Sequence, residues 1–292
     1  MGKITVALIG DNTRVYISDT TDMVEEARKI HGTLPVATAA LGRSITAASI
    51  MGKMLKGDKE KLTFQIKGTN LIKSIVAVSW SNGNVKAYIS DPQIDIEDHD
   101  NKKLNIGGAI GKDGELIIIK DLGLKDPYIG RAPLVSGEIA EDLAKYYLDS
   151  EQQPSIVSLG VLVNKDLSVK SAGGFIAQTM PDITEEEIVL LEDAVSKMKP
   201  ISTILRDYES HKEMLEVLFP NMDIKILETY ETALKCDCSK KKLESALITL
   251  GPDDIKEMLD KDNGAELHCH FCNTYYKFDY DELKKIYELT KE

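Results

Sequence analysis

The chain's four cysteines, Cys236, Cys238, Cys269 and Cys272, all fall in its last fifth, as a C-x-C pair and a C-x-x-C pair with thirty residues between them. Cysteine used only as a small apolar residue would be scattered. Two short pairs are what a tetrahedral metal needs, because each supplies two sulfurs from one turn of backbone and the spacer folds back to close the site. The pattern points to zinc. Zinc holds sulfur as thiolate, the nucleophilic and oxidisable form, while coordination protects it. Two readings follow, a permanent structural site and a zinc-bound thiol switch. Structural zinc binding is worth about 10–16 kcal/mol, against about 5–15 kcal/mol for the whole stability of a domain. Loss of the metal should therefore unfold a small module built on it. A C-x-C disulfide closes too short a loop to restore much, so oxidation would destabilise the module.

Other candidate groups carry weaker signals. His268 and His270 bracket Cys269 and could replace a sulfur, but with four cysteines available they are expected to lie outside the ligand set, exposed or supporting it. His31, His99 and His211 are scattered and share no spacing. His211-Lys212-Glu213 with Cys269-x-x-Cys272 has a superficial likeness to a zinc deaminase. However, His268 stands where that pattern has Pro, and Cys236 and Cys238 would be idle. The run Gly107–Lys112 lacks the spacing of a phosphate-binding loop, and Asp113 follows its lysine where Ser or Thr is needed; it reads as a glycine turn. No spacing picks out a catalytic triad or a carboxylate pair, so the chain is not read as an enzyme.

Composition narrows the partners. A formal charge of −12 argues against nucleic-acid or anionic-membrane binding, which need clustered Lys and Arg. The apolar start, Ile4 to Ile9, is too short for a secretion signal and reads as a buried strand. Val6 stands where a myristoylation signal wants Ser or Thr. The stretch Leu34 to Leu55 carries Arg43 and Lys53 and reads as a packed helix rather than a membrane span. Paired cysteines without a secretory context suit the cytoplasm, where thiols stay reduced.

The elements that must position the cysteines follow from periodicity. Up to about residue 180, strands are expected at Ile4–Ile9, Arg14–Ser18, Ser74–Trp80, Val85–Ser90, Glu115–Lys120, Ser155–Val163 and Gly173–Gln178. Asn82-Gly83 and Asp113-Gly114 signal hairpins, Pro35 to Lys56 a helix, and Ser136 the start of another running to about Asp149. Paired strands with segregated helices make an α+β domain over 1–180. Residues 181–231 read as a helical linker. Pro181 opens a helix with the capping box Thr184…Glu187 and the apolar stripe Ile188, Leu191, Val195 and Met198; a second helix covers His211–Leu218, and Asp223–Tyr230 is extended. That stripe is too apolar for water and should lie on the N-terminal sheet. Residues 232–292 form a small zinc-binding module. Ser239 caps a helix ended by Gly251-Pro252, a helical turn carries Ile255, Met258 and Leu259, and Leu267–Phe278 reads as a zinc knuckle leading into an aromatic strand.

At these residues the chain resembles the heat-shock protein 33 family of redox-regulated chaperonins. The likeness rests on K-C-D-C-S (Lys235–Ser239) and E-L-H-C-H-F-C (Glu266–Cys272). It is supported by S-G-E-I-A-E-D-L-A (Ser136–Ala144), S-E-Q-Q-P-S (Ser150–Ser155), L-G-V-L-V (Leu159–Val163), A-G-G-F-I-A-Q (Ala172–Gln178), Q-I-K-G (Gln65–Gly68) and G-A-I-G-K-D-G (Gly108–Gly114). The resemblance implies an ATP-independent holdase that is zinc-bound and inactive when reduced. Oxidation would form Cys236–Cys238 and Cys269–Cys272 disulfides, release one Zn2+ per chain, unfold the C-terminal module and linker, and expose apolar surface that captures unfolding proteins, with homodimerisation. Client capture is implied by the resemblance alone. A constitutive zinc-ribbon adaptor and a thiol-disulfide oxidoreductase remain as alternatives; the second is disfavoured because its C-x-x-C does not sit at a βα junction.

Overall fold

Period-two alternation in the first half of the chain becomes sheet, and the one long stretch of small residues becomes the helix that the sheets enclose. The computed structural model describes residues 1–94, 96–97 and 103–291; His99 lies outside them. The chain divides into two compact units, Met1–Lys235 and Cys236–Glu292.

The first unit runs β1 (Gly2–Ile9), β2 (Thr13–Asp19), α1 (Thr21–His31), α2 (Pro35–Lys53), β3 (Lys61–Lys67), β4 (Ser74–Trp80), β5 (Val85–Ile89), α3 (Ile106–Ile110), β6 (Glu115–Asp121), β7 (Tyr128–Pro133) and α4 (Ala140–Ser150). It continues with β8 (Ser155–Val163), β9 (Val169–Thr179), α5 (Glu185–Ser196), α6 (Ile201–Asp207), α7 (His211–Leu218) and β10 (Ile224–Thr232). One antiparallel sheet has the order β10-β1-β2-β9-β8, the other β5-β4-β3-β6-β7. The architecture is the α+β one expected from the sequence. Helix α2 packs against strands of both sheets, and nearly every residue from Val36 to Gly52 is buried. Close approach requires its small residues: a Cβ on Gly42 would stand 2.7 Å from Val24 Cγ1 and 2.8 Å from Val161 Cγ2. Two of its buried hydroxyls bond back along the helix, Ser44 to the Ala40 carbonyl and Thr46 to the Gly42 carbonyl, each at 2.9 Å.

Two expectations are corrected here. Ser136 does not open a helix: the buried Asp142 carboxylate accepts hydrogen bonds from the N–H groups of Val135, Ser136, Gly137 and Ile139. The loop is wrapped around it and α4 starts at Ala140. Asp113-Gly114 is no hairpin turn either, since it follows the short helix α3, and β6 pairs with β3 and β7.

The stretch after residue 180 lies on the first sheet. Thr184 and Glu187 form the expected capping box, and Glu187 also reaches the β1–β2 turn, accepting from the N–H groups of Asp11 and Asn12 and from Asn12 Nδ2. One cluster joins Ala7, Ile9, Val15, Ile17, Phe175 and Ala177 of the sheet to residues of α5, α6 and α7. Phe175 meets Phe219 edge to face at 5.5 Å. The apolar stripe needs correction: Leu191 and Ala194 are buried, but Ile188 and Val195 are 39% and 40% exposed. With Val189 and Leu190 also apolar, spacing alone does not fix which face turns inward. The extended piece is β10, hydrogen-bonded along β1.

The second unit holds α8 (Lys240–Ile248), α9 (Pro252–Asp262), β11 (Ala265–His268), β12 (Tyr275–Phe278) and α10 (Tyr280–Leu289). Its core is Leu247, Ile255, Leu259, Phe278, Leu283 and Ile286. Ser239 caps α8 as expected, with its hydroxyl accepting from the Lys242 N–H. Gly251-Pro252 opens α9 rather than closing α8, with Pro252 at the first helical position.

Candidate metal centre

The two cysteine pairs occupy two kinds of local structure. Cys236 and Cys238 lie in the extended segment that ends at the Ser239 cap of α8. Cys269 and Cys272 make the turn of the β11–β12 hairpin. There the Cys269 carbonyl accepts from the N–H groups of Cys272 (3.3 Å) and Asn273 (2.8 Å), and the Cys269 N–H donates to the Thr274 carbonyl at 2.9 Å. Asn273 takes a left-handed conformation with φ 55°, which asparagine tolerates. The turn thereby curls both sulfurs to one side.

The four sulfurs converge, all within 4.8 Å of one another. Cys236 Sγ is 3.7 Å from Cys269 Sγ, and Cys238 Sγ is 3.4 Å from Cys272 Sγ. A tetrahedron with metal–sulfur distances of about 2.3 Å has edges of about 3.8 Å, so the donor set fits zinc in both type and spacing. All four cysteines are free, Cys269 is buried and the other three are half-buried. Burial pushes the Cys236 and Cys269 thiols above their ordinary range, with neighbouring thiols adding to the effect at Cys236. Burial also opposes the Cys272 thiolate, but hydrogen bonding from Thr274 and the thiols of Cys238 and Cys269 outweighs it and brings Cys272 down to about 7. Thiols whose ionisation burial resists are the ones a bound cation would hold as thiolates.

The surroundings are aromatic and hydroxylic. Tyr276 places its hydroxyl 3.2 Å from Cys238 Sγ, and Thr274 Oγ1 lies 3.2 Å from Cys272 Sγ. The sequence reading did not single out either residue; the only available signal is strand alternation, which turns Tyr276 and Phe278 to one face of β12 and Tyr275 and Lys277 to the other. The ligand-atom cluster comprises the four sulfurs without a histidine nitrogen. His268 instead stacks on Tyr275 at 4.6 Å and lies 3.1 Å, through Nε2, from Asn273 Oδ1. His270 stands edge-on to His268 at 5.2 Å. In the other unit, His31 meets the Ala87 carbonyl and buried His211 meets Thr5 Oγ1. The run at Gly107 contains the one-turn helix α3, whose cap is Asn105 Oδ1 on the Gly108 N–H.

Comparison with known proteins agrees with this arrangement. The family model described as "Hsp33 protein" matches residues 3–279. A 33 kDa chaperonin of Alkaliphilus metalliredigens is 44% identical over 283 residues, covering 97% of each chain. A 33 kDa chaperonin of Clostridium perfringens is 48% identical over 276 residues, covering 94% of this chain and 86% of that one. The crystal structure of a 33 kDa chaperonin (heat shock protein 33 homolog) from Thermotoga maritima superposes with a TM-score of 0.87 at 35% identity, over 98% of both chains. The chain belongs to the Hsp33 protein family.

Proposed function

We propose that the chain is a redox-regulated, ATP-independent chaperone, a cytoplasmic holdase that is inactive when reduced and captures unfolding proteins once its cysteines are oxidised. The observation that carries this reading is the convergence of four sulfurs in a unit whose own core is six apolar side chains. The names of the relatives, 33 kDa chaperonins, support the chaperone part. In this reading residues 1–180 are the chaperone core, 181–231 the linker and 232–292 the switch.

Zinc, when bound, keeps the sulfurs as thiolates and ties the two motifs together. Cys236, Cys238, Cys269 and Cys272 are both its ligands and the redox-active groups. Within each motif, two thiols and one peroxide give one disulfide and two waters. The S–S bond forms at the expense of the O–O bond, and the sulfurs lose two electrons. Pairing neighbours unties the motifs from each other, and the six-residue core is then left without its cross-link. Bridging 236 or 238 to 269 or 272 would tie the unit shut instead. Departure of α5, α6 and α7 would bare Ile9, Val15, Ile17 and Phe175, a ready apolar surface for clients and for homodimerisation. The chain's net charge of −12 argues against a nucleic-acid partner.

The deciding experiment follows zinc release and thiol loss during peroxide treatment beside suppression of client aggregation. The three should move together, with non-reducing peptide maps giving Cys236–Cys238 and Cys269–Cys272. Zinc and thiols that survive peroxide unchanged would favour a constitutive adaptor. Dominant cross-motif bridges would remove the unfolding mechanism.

A further inference from the structure

We propose that the Tyr276 hydroxyl is a brake on the sulfur switch, donating a hydrogen bond to Cys238 and slowing that sulfur's reaction with oxidants. The proposal rests on the redox reading above and assigns a tuning role within it to a residue outside the ligand set.

The geometry is specific. Tyr276 Oη is 3.2 Å from Cys238 Sγ across 38 positions of sequence, so it links the hairpin that carries one motif to the segment that carries the other. The ring is held on both sides of its bond to the backbone. Tyr276 pairs with Leu267 in the β11–β12 ladder, and its half-buried ring packs against the six-residue core of the unit. The hydroxyl is thus placed in advance rather than recruited. Thr274, by contrast, is exposed at the hairpin end, and its hydroxyl beside Cys272 can turn to water.

The direction of the hydrogen bond follows from the metal-bound state. A thiolate has no proton to give, so the phenol must donate and the sulfur accept. A lone pair engaged by a donor is less available for attack on a peroxide oxygen, the step in which an S–O bond forms, the O–O bond breaks and hydroxide leaves to take up a proton. A neighbouring thiol then displaces water from the sulfenic acid to close the disulfide. Hydrogen bonds to ligating sulfurs are also among the levers that set reduction potentials at iron–sulfur centres.

The test is Tyr276→Phe, which removes the hydroxyl and keeps the ring, in the full chain loaded with zinc. Three rates are compared with wild type: zinc release under peroxide, alkylation-mapped loss of the Cys238 thiol, and zinc extraction by a chelator without oxidant. The expected result is a rise of about three- to tenfold in the first two, the range that one such hydrogen bond supports, with chelator extraction within about twofold. In the cobalt-substituted protein the sulfur-to-metal charge-transfer band should move to longer wavelength, because an unshielded sulfur is easier to oxidise. An unchanged peroxide rate overturns the brake. So does an equal acceleration of chelator extraction, which would mean that the phenol only holds the hairpin in place. A wild-type protein inert to peroxide would overturn the redox reading itself, which separates the two failures.

Discussion

The Met1–Lys235 unit surrounds helix α2 with two five-stranded sheets, whereas the Cys236–Glu292 unit closes on six buried apolar side chains and four sulfurs. Apolar burial grows faster than chain length, and a unit of about sixty residues has little to spare. The larger unit therefore stands on packing, and the smaller has four converging sulfurs that a metal could tie together. On the proposed redox reading, that difference would let an oxidant act on one part of the chain and leave the other standing.

Metal removal tests this contrast most severely. A chelator should withdraw on the order of 10 kcal/mol from the smaller unit and abolish amide protection across α8, α9 and α10, while α2 and the strands around it stay protected. Hydrogen exchange followed by mass spectrometry reads both at once. Persistent protection of α10 in metal-free protein would mean that the six-residue core suffices, and the contrast would collapse.

Next in size is Phe219→Ala in the larger unit, which empties the site where the ring meets Phe175. It should cost about 3–5 kcal/mol in urea unfolding while zinc content stays at wild-type level. If α5, α6 and α7 mask the client surface, this variant should also suppress aggregation in part while reduced. A loosened α5–α7 with no such activity would place the switch in the smaller unit alone.

Acid offers a subtler probe of the same contact. Burial holds His211 down at about 4 from its ordinary 6.5, with Lys3 assisting and Asp19 opposing. Folded protein thus binds fewer protons here than unfolded protein, so the stabilisation is complete above about pH 6.5 and shrinks as pH falls towards 4. The loss is on the order of 3 kcal/mol by pH 4, seen as a falling urea midpoint of the larger unit. His211→Asn, which keeps a polar partner for Thr5, should flatten that dependence. An equally steep dependence in the variant would assign it to other groups.

The smallest expected effect is at Glu187, whose hydrogen bonds to Thr184 and to the Asn12 side chain lead those that hold its carboxyl down at about 2. Glu187→Ala should cost about 1 kcal/mol and raise exchange in α5 without touching the cysteines. A wild-type midpoint with unchanged exchange would show that α5 is fixed by Leu191 and Ala194 alone.

The parts of this organisation legible in the sequence were those encoded by neighbours. Asn82-Gly83 specifies its hairpin through backbone conformation, Thr184 and Glu187 cap each other within three residues, and the two cysteines of each pair are near neighbours in the sequence. What stayed hidden depended on distant partners. Asp142 captures four upstream N–H groups and so overrides the helix start suggested at Ser136. The face that α5 buries lies against distant strands of the sheet, and the unbroken apolar run Ile188–Leu191 does not choose it by spacing alone. Tyr276 reads as one aromatic of a short strand, and only the closure of the thirty-residue spacer brings it to Cys238.

The strand order of the first sheet also bears on how the chain is made. β1 is synthesised first, yet one of its two neighbours is β10 (Ile224–Thr232), which leaves the ribosome roughly two hundred residues later. At about 5–20 residues per second, one edge of β1 waits on the order of ten to forty seconds for its partner. Its core-facing Ile4, Ala7 and Ile9 are meanwhile exposed to other nascent chains. A member of a chaperonin family thus passes through an aggregation hazard each time it is translated.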